Sequence, residues 1–475
     1  MIYIEPVNSV YIKVHGDAGV ERELSDQFKF RVPNFMHMPQ YRAGFWDGYI
    51  KLYNYKNRQI YAGLYKKVVA YLEANEIEYE STVDDTSANF SEIEAKQFIE
   101  LLKLPYTVRD YQLKAFIDSI RSQRLVNLMP TGSGKSLTIY MLARYYNLKT
   151  LIVVPTINLV HQLSNDFVEY GYKGSIHKIF SGETKDSPEQ ITVSTWQSIY
   201  KMPASYFNQF KVVIIDECHQ VKADSLVKIL EKMTKCPVRF GFTGTLDGSL
   251  TNEMVLNGLL GPINKVTTSA ELIEAKHLSP FQIKCIVLKY REEECKSMRD
   301  LTYQEEVEWI VTSTRRNEFI KKLTLSLKGN TLVLFQFVEK HGLILHELIK
   351  NSTDRPVHLI YGGVAGEERE DIRKIVSTQS NAIIIGSNQT VSTGINIPTL
   401  SNIIFTSPTK SRIRTLQSIG RVLRTAKNKE TATLFDIVDD LQHKKKKNYT
   451  LSHFIHRVEI YRSEQFPFKA YNVKI

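Results

Sequence analysis

Leu125-Val-Asn-Leu-Met-Pro-Thr-Gly-Ser-Gly-Lys-Ser136 is an apolar run, then a glycine turn, and it leads directly into the helix-compatible stretch Leu137 to Tyr145. A strand that passes through a tight glycine loop into a helix is the first half of a βαβ unit, which commits the segment to a parallel sheet. The partner strands follow at regular intervals. Thr150-Leu-Ile-Val-Val154, Gln190-Ile-Thr-Val-Ser194 and Val212-Val-Ile-Ile215 are short β-branched runs of the kind buried on both faces of such a sheet, with helical segments between them. The pattern restarts after about residue 280. Thr331-Leu-Val-Leu-Phe335, Pro356-Val-His-Leu-Ile360, Ala382-Ile-Ile-Ile385 and Asn402-Ile-Ile-Phe405 form a second set, separated by helices such as Glu367 to Ser377. At 475 residues the chain exceeds what one hydrophobic core usually serves. The expected fold class is α/β, with two tandem parallel-sheet domains.

Around this frame the ends differ. Residues 1–88 mix alternating strand-like runs (Tyr11–Val14, Tyr49–Tyr53) with a helical stretch near Tyr65 to Glu73, and a polar linker runs from Ser81 to Asn89. This predicts a small α+β N-terminal domain. Residues 441–475 carry apolar positions at helical spacing (Leu451, Phe454, Ile455, Val458, Tyr461), which predicts a short basic helical extension packed on the second domain. The expected boundaries are therefore 1–88, 89–277, 278–440 and 441–475.

The glycine loop has the chemistry of a phosphate cradle. Gly132 and Gly134 let backbone N–H groups around Thr131 and Ser133 point inward, towards the positive end of the following helix. Lys135 then reaches the β and γ phosphates, and the Ser136 hydroxyl is a ligand for Mg²⁺. The strict pattern begins with glycine, and this chain has Met129 there. Val212-Val-Ile-Ile-Asp-Glu-Cys-His219 is an apolar strand ending in two acids. Buried acids are costly unless they meet a cation or catalyse, so Asp216 is the expected Mg²⁺ ligand and Glu217 the base for an attacking water. Arg421 and Arg424, three apart, would share a helix face and offer cations to a transferring phosphoryl group. Taken alone, an Arg-x-x-Arg pair reads better as a solvated helix face, and it is Gln417 and Gly420 beside it that raise the case.

The net charge of +11 is placed unevenly. Residues 29–67 carry eight basic side chains and one acid, and residues 441–475 carry eight against two. Such clustering suits a polyanion, which Lys and Arg bind by displacing counterions from phosphates. Ten aromatics interleave with the first cluster, from Phe30 to Tyr65. Most of these rings have to form the small domain's own core, while the rest are free to stack on unpaired bases, with Trp46 and Arg42 the preferred contacts. The four cysteines (Cys218, Cys236, Cys285, Cys295) have no metal-type spacing and read as reduced thiols. The N-terminus lacks a signal-peptide pattern, and no apolar run reaches membrane-spanning length. Cytoplasmic residence is the expectation.

Asp110-Tyr-Gln112, Val154-Pro-Thr156, Ser194-Thr-Trp-Gln197, Thr243-Gly-Thr245, Ser392-Thr-Gly-Ile-Asn396 and Gln417-Ser-Ile-Gly-Arg-Val-Leu-Arg424 complete an ordered set with the glycine loop and Asp216-Glu-Cys-His219. Together these resemble the motifs of superfamily 2 helicases, whose two sheet domains are RecA-like. Phe45-Trp-Asp-Gly48, Thr302-Tyr-Gln-Glu-Glu306 and Arg316-Asn317 narrow the resemblance to the phage UvsW-type recombination helicases, over nearly the full chain. The resemblance implies ATP and Mg²⁺ as cofactors and a monomeric enzyme acting on branched DNA: Holliday junctions, stalled forks, D-loops and R-loops, including RNA–DNA hybrids. It implies that Gln112 reads adenine, that Gly394 belongs to the nucleotide site, and that Pro155, Thr156, Thr195, Trp196 and Thr393 contact DNA or couple it to hydrolysis. A restriction-system motor, an RNA helicase and a nucleotide-gated DNA clamp without turnover are the competing readings. The lack of a nuclease acid cluster disfavours the first, and the presence of both Glu217 and Arg424 the last.

Overall fold

The computed structural model describes residues 1–475 except 34, 181–182, 187, 223, 247, 365, 393–396, 408–410, 427–428 and 430, with the backbone alone at 221–222, 251, 366–367, 369–370, 373, 392 and 414. The chain divides into two compact units. One comprises Met1–Met129 and Gly134–Val266, the other Pro130–Ser133 and Thr267–Ile475.

The first unit is built on a seven-stranded sheet in the order Ile263–Lys265, Arg124–Leu128, Val238–Thr243, Val212–Asp216, Thr150–Val154, Ile191–Thr195 and Ile176–Ile179. Every pairing in it is parallel. The central runs are fully buried, as β-branched strands covered on both faces must be. Val238–Thr243 has a less predictable member, Arg239, with no exposed surface. Its guanidinium donates to the carbonyls of Cys236 (3.0 Å), Leu230 and Leu259 (3.2 Å each) and Met233 (2.5 Å). Burial lowers its pKa to about 10.

The N-terminal residues form a four-stranded sheet, Gln59–Tyr61, Tyr11–Gly16, Ile2–Pro6 and Tyr79–Ser81, mixed in direction. A separate antiparallel ribbon joins Lys29–Arg31 to Tyr49–Lys51. This small domain is docked on the first parallel-sheet domain. The Tyr61 and Tyr11 hydroxyls both donate to Glu231 Oε1, at 2.7 and 3.3 Å. Ser9 N donates to Thr234 O at 3.0 Å, and Arg124 returns a bond to Ser9 O. Met254 packs into the small domain's core, and Val10 into that of the larger one. At Gly63 the two backbones nearly touch, since an added Cβ would lie 2.1 Å from Asn257 O.

The second unit has its own seven-stranded, all-parallel sheet, ordered Val357–Ile360, Ile383–Ser387, Asn330–Phe335, Leu400–Phe405, Ala432–Asp440, Phe281–Lys289 and Phe468–Lys474. The C-terminal segment therefore differs from the helix expected of it. Tyr449–Ser463 is that helix, and the chain then returns as an edge strand beside Phe281–Lys289. Two buried ion pairs fasten helices to the strand Ala432–Asp440. Arg457 binds Asp436 through Nε (2.9 Å) and Nη2 (2.8 Å), with the Tyr461 hydroxyl also donating to Asp436 at 2.8 Å. Arg316 binds Asp439 at 2.7 and 3.0 Å, and the Tyr290 hydroxyl joins at 2.7 Å. Each carboxylate has several donors, the condition under which a buried charge pair is tolerated. Glu306 accepts from Tyr449 N (2.9 Å) and Thr450 N (2.8 Å), capping the C-terminal helix from outside it.

The four cysteines are buried and free, and among the described residues no helix is long and apolar enough to cross a membrane.

Gly63→Ala should lower the urea midpoint, because a backbone-to-backbone clash has no side chain to yield, and overpacking typically costs about 1–3 kcal/mol. Gly362, with nothing within 4 Å of an added Cβ, serves as the control, and Gly362→Ala should leave the midpoint unchanged.

Candidate active site

In a parallel sheet all strands end on one edge, and in open α/β sheets that edge carries the ligand. The register of the first sheet puts the expected residues there. Val154 pairs with Thr195, so Pro155 and Thr156 leave one strand beside Thr195 and Trp196 on the next. Asp216 ends the neighbouring strand, opposite Phe242, and Thr243 pairs with Leu128 just before the glycine loop.

The loop has the backbone its glycines permit. Gly132 and Gly134 lie at φ +86° and +80°, left-handed positions closed to most side chains. Ser133 N donates to Pro130 O at 3.2 Å, and Lys135 opens the helix Lys135–Tyr146. The Lys135 ammonium reaches back to Met129 O at 3.4 Å. Thr131 is half-exposed and Ser133 buried. Ser136 Oγ is 2.8 Å from the hydroxyl of Tyr170, whose pKa burial lifts to about 12. Gln112 is buried against the loop, with Oε1 accepting from Arg109 N (3.0 Å) and Nε2 donating to Gly134 O (3.4 Å).

The two acids differ. Burial first and the neighbouring Glu217 second raise the Asp216 carboxyl from 3.8 to about 6, against the opposing Lys135; Oδ1 accepts from Glu217 N at 3.0 Å. Glu217 has a left-handed backbone, φ +52°, unusual for a residue with a Cβ and costing of order 1–3 kcal/mol. Its carboxylate is held from the next strand over. Glu217 Oε2 is 3.2 Å from His219 Nδ1 and 3.5 Å from Thr243 Oγ1, which are themselves 2.8 Å apart. Thr243 Oγ1 also accepts from Thr245 N at 3.3 Å. Sequence reasoning singled out Thr243-Gly-Thr245 as a motif but gave it no role, and it passed over His219 and Tyr170. Strand order brings Thr243 to Glu217, His219 reaches it from two residues on, and Tyr170 meets Ser136 rather than the acids.

Thr156 caps the helix Ile157–Glu169, accepting from Leu159 N at 3.4 Å. Thr195 is buried, 2.9 Å from Ser198 Oγ, and Trp196 is half-buried against the apolar layer beneath. In the second unit, Arg421 lies in the last turn of the helix Arg412–Val422. Arg424 falls beyond that helix, so the shared helix face expected for the pair is not formed. Its carbonyl accepts from Ser279 Oγ (3.0 Å) and from Lys429 Nζ (2.6 Å), whose pKa burial and Arg424 lower to about 7. Thr393 and Gly394 lie outside the described residues. In the small domain, Arg42 is exposed and donates to Met36 O at 3.2 Å, while the Trp46 indole donates to Tyr49 O at 2.8 Å.

Two parallel-sheet units, with a phosphate-type glycine loop and an Asp-Glu pair on the ligand edge of the first, define a nucleotide-driven motor of the superfamily 2 class. Residues 3–84 match the family described as "DNA helicase UvsW, N-terminal", residues 105–248 "Type III restriction enzyme, res subunit", and residues 315–426 "Helicase conserved C-terminal domain". The chain is 32% identical to the ATP-dependent DNA helicase uvsW of Enterobacteria phage T4, over 98% of each chain. It belongs to the UvsW helicase family. A crystal structure of T4 UvsW superposes with TM-score 0.53 at 30% identity, covering 100% of this chain and 99% of that one. The DNA 3'-5' translocase XPB2 of Sulfurisphaera tokodaii is 25% identical over 79% of this chain and 89% of its own. The DNA-bound restriction-modification enzyme LlaBIII shares the fold alone, with TM-score 0.59 at 17% identity over 78% of this chain and 32% of its own.

Asp216 binds its proton more tightly folded than unfolded, so the stability this group contributes is present below about pH 3.8 and lost as pH rises through about 6. Asp216→Asn cannot ionise. Without nucleotide or divalent cation it should unfold at higher urea than the wild type at pH 8, and the difference should vanish by pH 4. A difference equal at both pH values would assign the effect to packing.

Proposed function

We propose that this chain is an ATP-driven DNA helicase that remodels branched DNA (Holliday junctions, stalled forks, D-loops and R-loops) and works as a monomer in the cytoplasm. The observation that carries the reading is the likeness to the T4 helicase over 98% of the chain, accessory domain included. Residues 1–88 are the DNA-engaging accessory domain, 89–277 the ATP-binding motor domain, 278–440 the domain supplying the arginines, and 441–475 its basic extension.

The donor set on the sheet edge suits Mg²⁺. Asp216 is a carboxylate whose charge the protein itself leaves under-compensated, and the Ser136 hydroxyl, with Tyr170 as one partner, keeps a lone pair for a metal. These two residues would hold the ion, which would draw off negative charge as the terminal phosphate leaves. Thr131, Gly132, Ser133 and Gly134 present backbone amides to the phosphates, and Lys135 neutralises them. Gln112 and Gly394 serve the nucleotide, and Glu217, fixed by His219 and Thr243, takes the proton of the attacking water. Arg421 and Arg424 act on the transferred phosphoryl group. Pro155, Thr156, Thr195, Trp196 and Thr393 are the proposed contacts to DNA phosphates, with Arg42 and Trp46 on the accessory domain.

Lys135→Ala should weaken ATP binding itself. Glu217→Gln should bind ATP normally yet lose about 10²–10⁴-fold in turnover, the usual worth of a general base. Equilibrium ATP binding and steady-state hydrolysis with and without DNA measure the two, and near-normal turnover in Glu217→Gln would remove it as the base. ATP-dependent remodelling on linear, forked, four-way and RNA–DNA hybrid substrates tests the substrate class. Turnover without remodelling of any branched substrate would favour a translocating restriction-type motor.

A further inference from the structure

The ribbon Lys29–Arg31/Tyr49–Lys51 carries a tip, residues 32–48, with two short helical turns, Phe35–His37 and Pro39–Arg42. The tip has a packing scheme of its own. The Phe35 and Tyr41 rings meet edge to face, centroids 4.6 Å apart, and the Arg31 guanidinium lies 4.7 Å from the Phe35 ring and 5.0 Å from that of Tyr49. Trp46 turns its indole N–H inward to Tyr49 O. Gly48 makes room for the Phe35 ring, which would stand 2.5 Å from any Cβ there. Phe45 alone among the tip's rings is left out of this scheme. It is 88% exposed and follows Gly44, whose φ of +74° reverses the chain in open space.

A lone exposed apolar side chain is ordinary on a protein surface. This one stands on the packed Arg31–Phe35–Tyr41 base, with Met36, Met38 and Tyr41 also exposed on the same tip. Lys29, Arg31, Arg42 and Lys51 gather on the ribbon and tip against two acids, Asp26, which pairs with Lys29 at 2.5 Å, and Asp47, which pairs with Lys51 at 2.8 Å, so the basic charge stays in excess. A protein's apolar pocket would need an acidic rim to use these cations, whereas nucleic acid offers flat π faces always flanked by phosphates. One projecting ring covers one base step. Inserting it into continuous duplex would cost unstacking of a few kcal/mol, but the base pair at a branch has already lost a stacking neighbour.

We propose that Phe45 is a stacking finger that covers the open face of the base pair at a DNA branch point, with the basic ribbon holding the flanking phosphates. The proposal rests on the branched-DNA reading above and assigns that recognition to one side chain.

The test is nucleotide-free binding of the full-length protein to a fork with 2-aminopurine at the branch-point pair, and to the same fork with the probe deep in one arm. Wild type should lower the fluorescence of the branch-point probe only, because the ring closes a frayed face. Phe45→Ala should abolish that change and weaken fork binding relative to a matched linear duplex about 5- to 100-fold, the span of one base–aromatic stack. Phe45→Trp should restore both, and Phe45→Leu, apolar without a π face, neither. The position is exposed, so an unchanged melting temperature confirms folding in each variant. An equal response from Phe45→Ala, full rescue by Phe45→Leu, or an equal response from both probes would overturn the finger. A wild type that leaves both probes silent would also overturn it and would turn Phe45 into a contact for a protein. Remodelling with ATP is scored separately. Wild type that stacks but never remodels contradicts the helicase reading, and wild type that remodels without a Phe45-dependent signal contradicts the finger alone.

Discussion

Parallel alignment of the strands is the constraint on which the rest depends. It delivers Met129, Val154, Thr195, Asp216 and Thr243 to a single sheet edge without any of them being close in sequence. Burial of Asp216 beside Glu217 follows from that geometry, and so does the reach of His219 and Thr243 to the Glu217 carboxylate. The left-handed backbone at Glu217 is stored strain, held by a network that spans two strands.

The second unit relies on a different device. In its sheet the strand Ala432–Asp440 is fixed to its covering helices by charged side chains as well as by apolar packing. Arg316 with Asp439, and Arg457 with Asp436, sit fully buried in bidentate geometry. Removing one member of such a pair would strand the other's charge, which is far costlier than the pair is favourable.

Eight of the parallel strands were legible because each is a compact β-branched run bounded by turn residues, and the glycine loop because its chemistry is local, whereas Ile176–Ile179, Val238–Thr243, Ile263–Lys265, Phe281–Lys289 and Ala432–Asp440 were not read from the sequence. Asp216 and Glu217 were legible for the same reason: two acids closing an apolar strand are too costly to bury unless a cation or a reaction meets them. The strand Phe468–Lys474 was not, since its alternation of Phe, Lys, Ala, Tyr and Asn on an exposed edge resembles a polar tail. Arg239 hides in a strand that a charge should have argued against, because only folding brings four carbonyls around it. Thr302-Tyr-Gln-Glu-Glu306 and Arg316-Asn317 read as a family signature, and their visible work is architectural: Glu306 caps a distant helix and Arg316 anchors a strand. Of the neighbouring aromatics Phe45 and Trp46, the sequence favoured Trp46 as the contact. Only the tip's backbone turns one inward and the other out.

The docking of the small domain bears on how the protein tolerates being cut. Tyr11, Tyr61 and Gly63 cover Glu231, Asn257 and Gly258, and Met254 lies in the small domain's core. A chain beginning after the polar linker would present Met254 and Val255 to water as a greasy scar beside a carboxylate that has lost both its phenols. Such a fragment would be inclined to self-associate, so its solubility, rather than its catalysis, would be the first property to suffer. Softening the scar with polar substitutions at Met254 and Val255 would be the natural companion to any truncation.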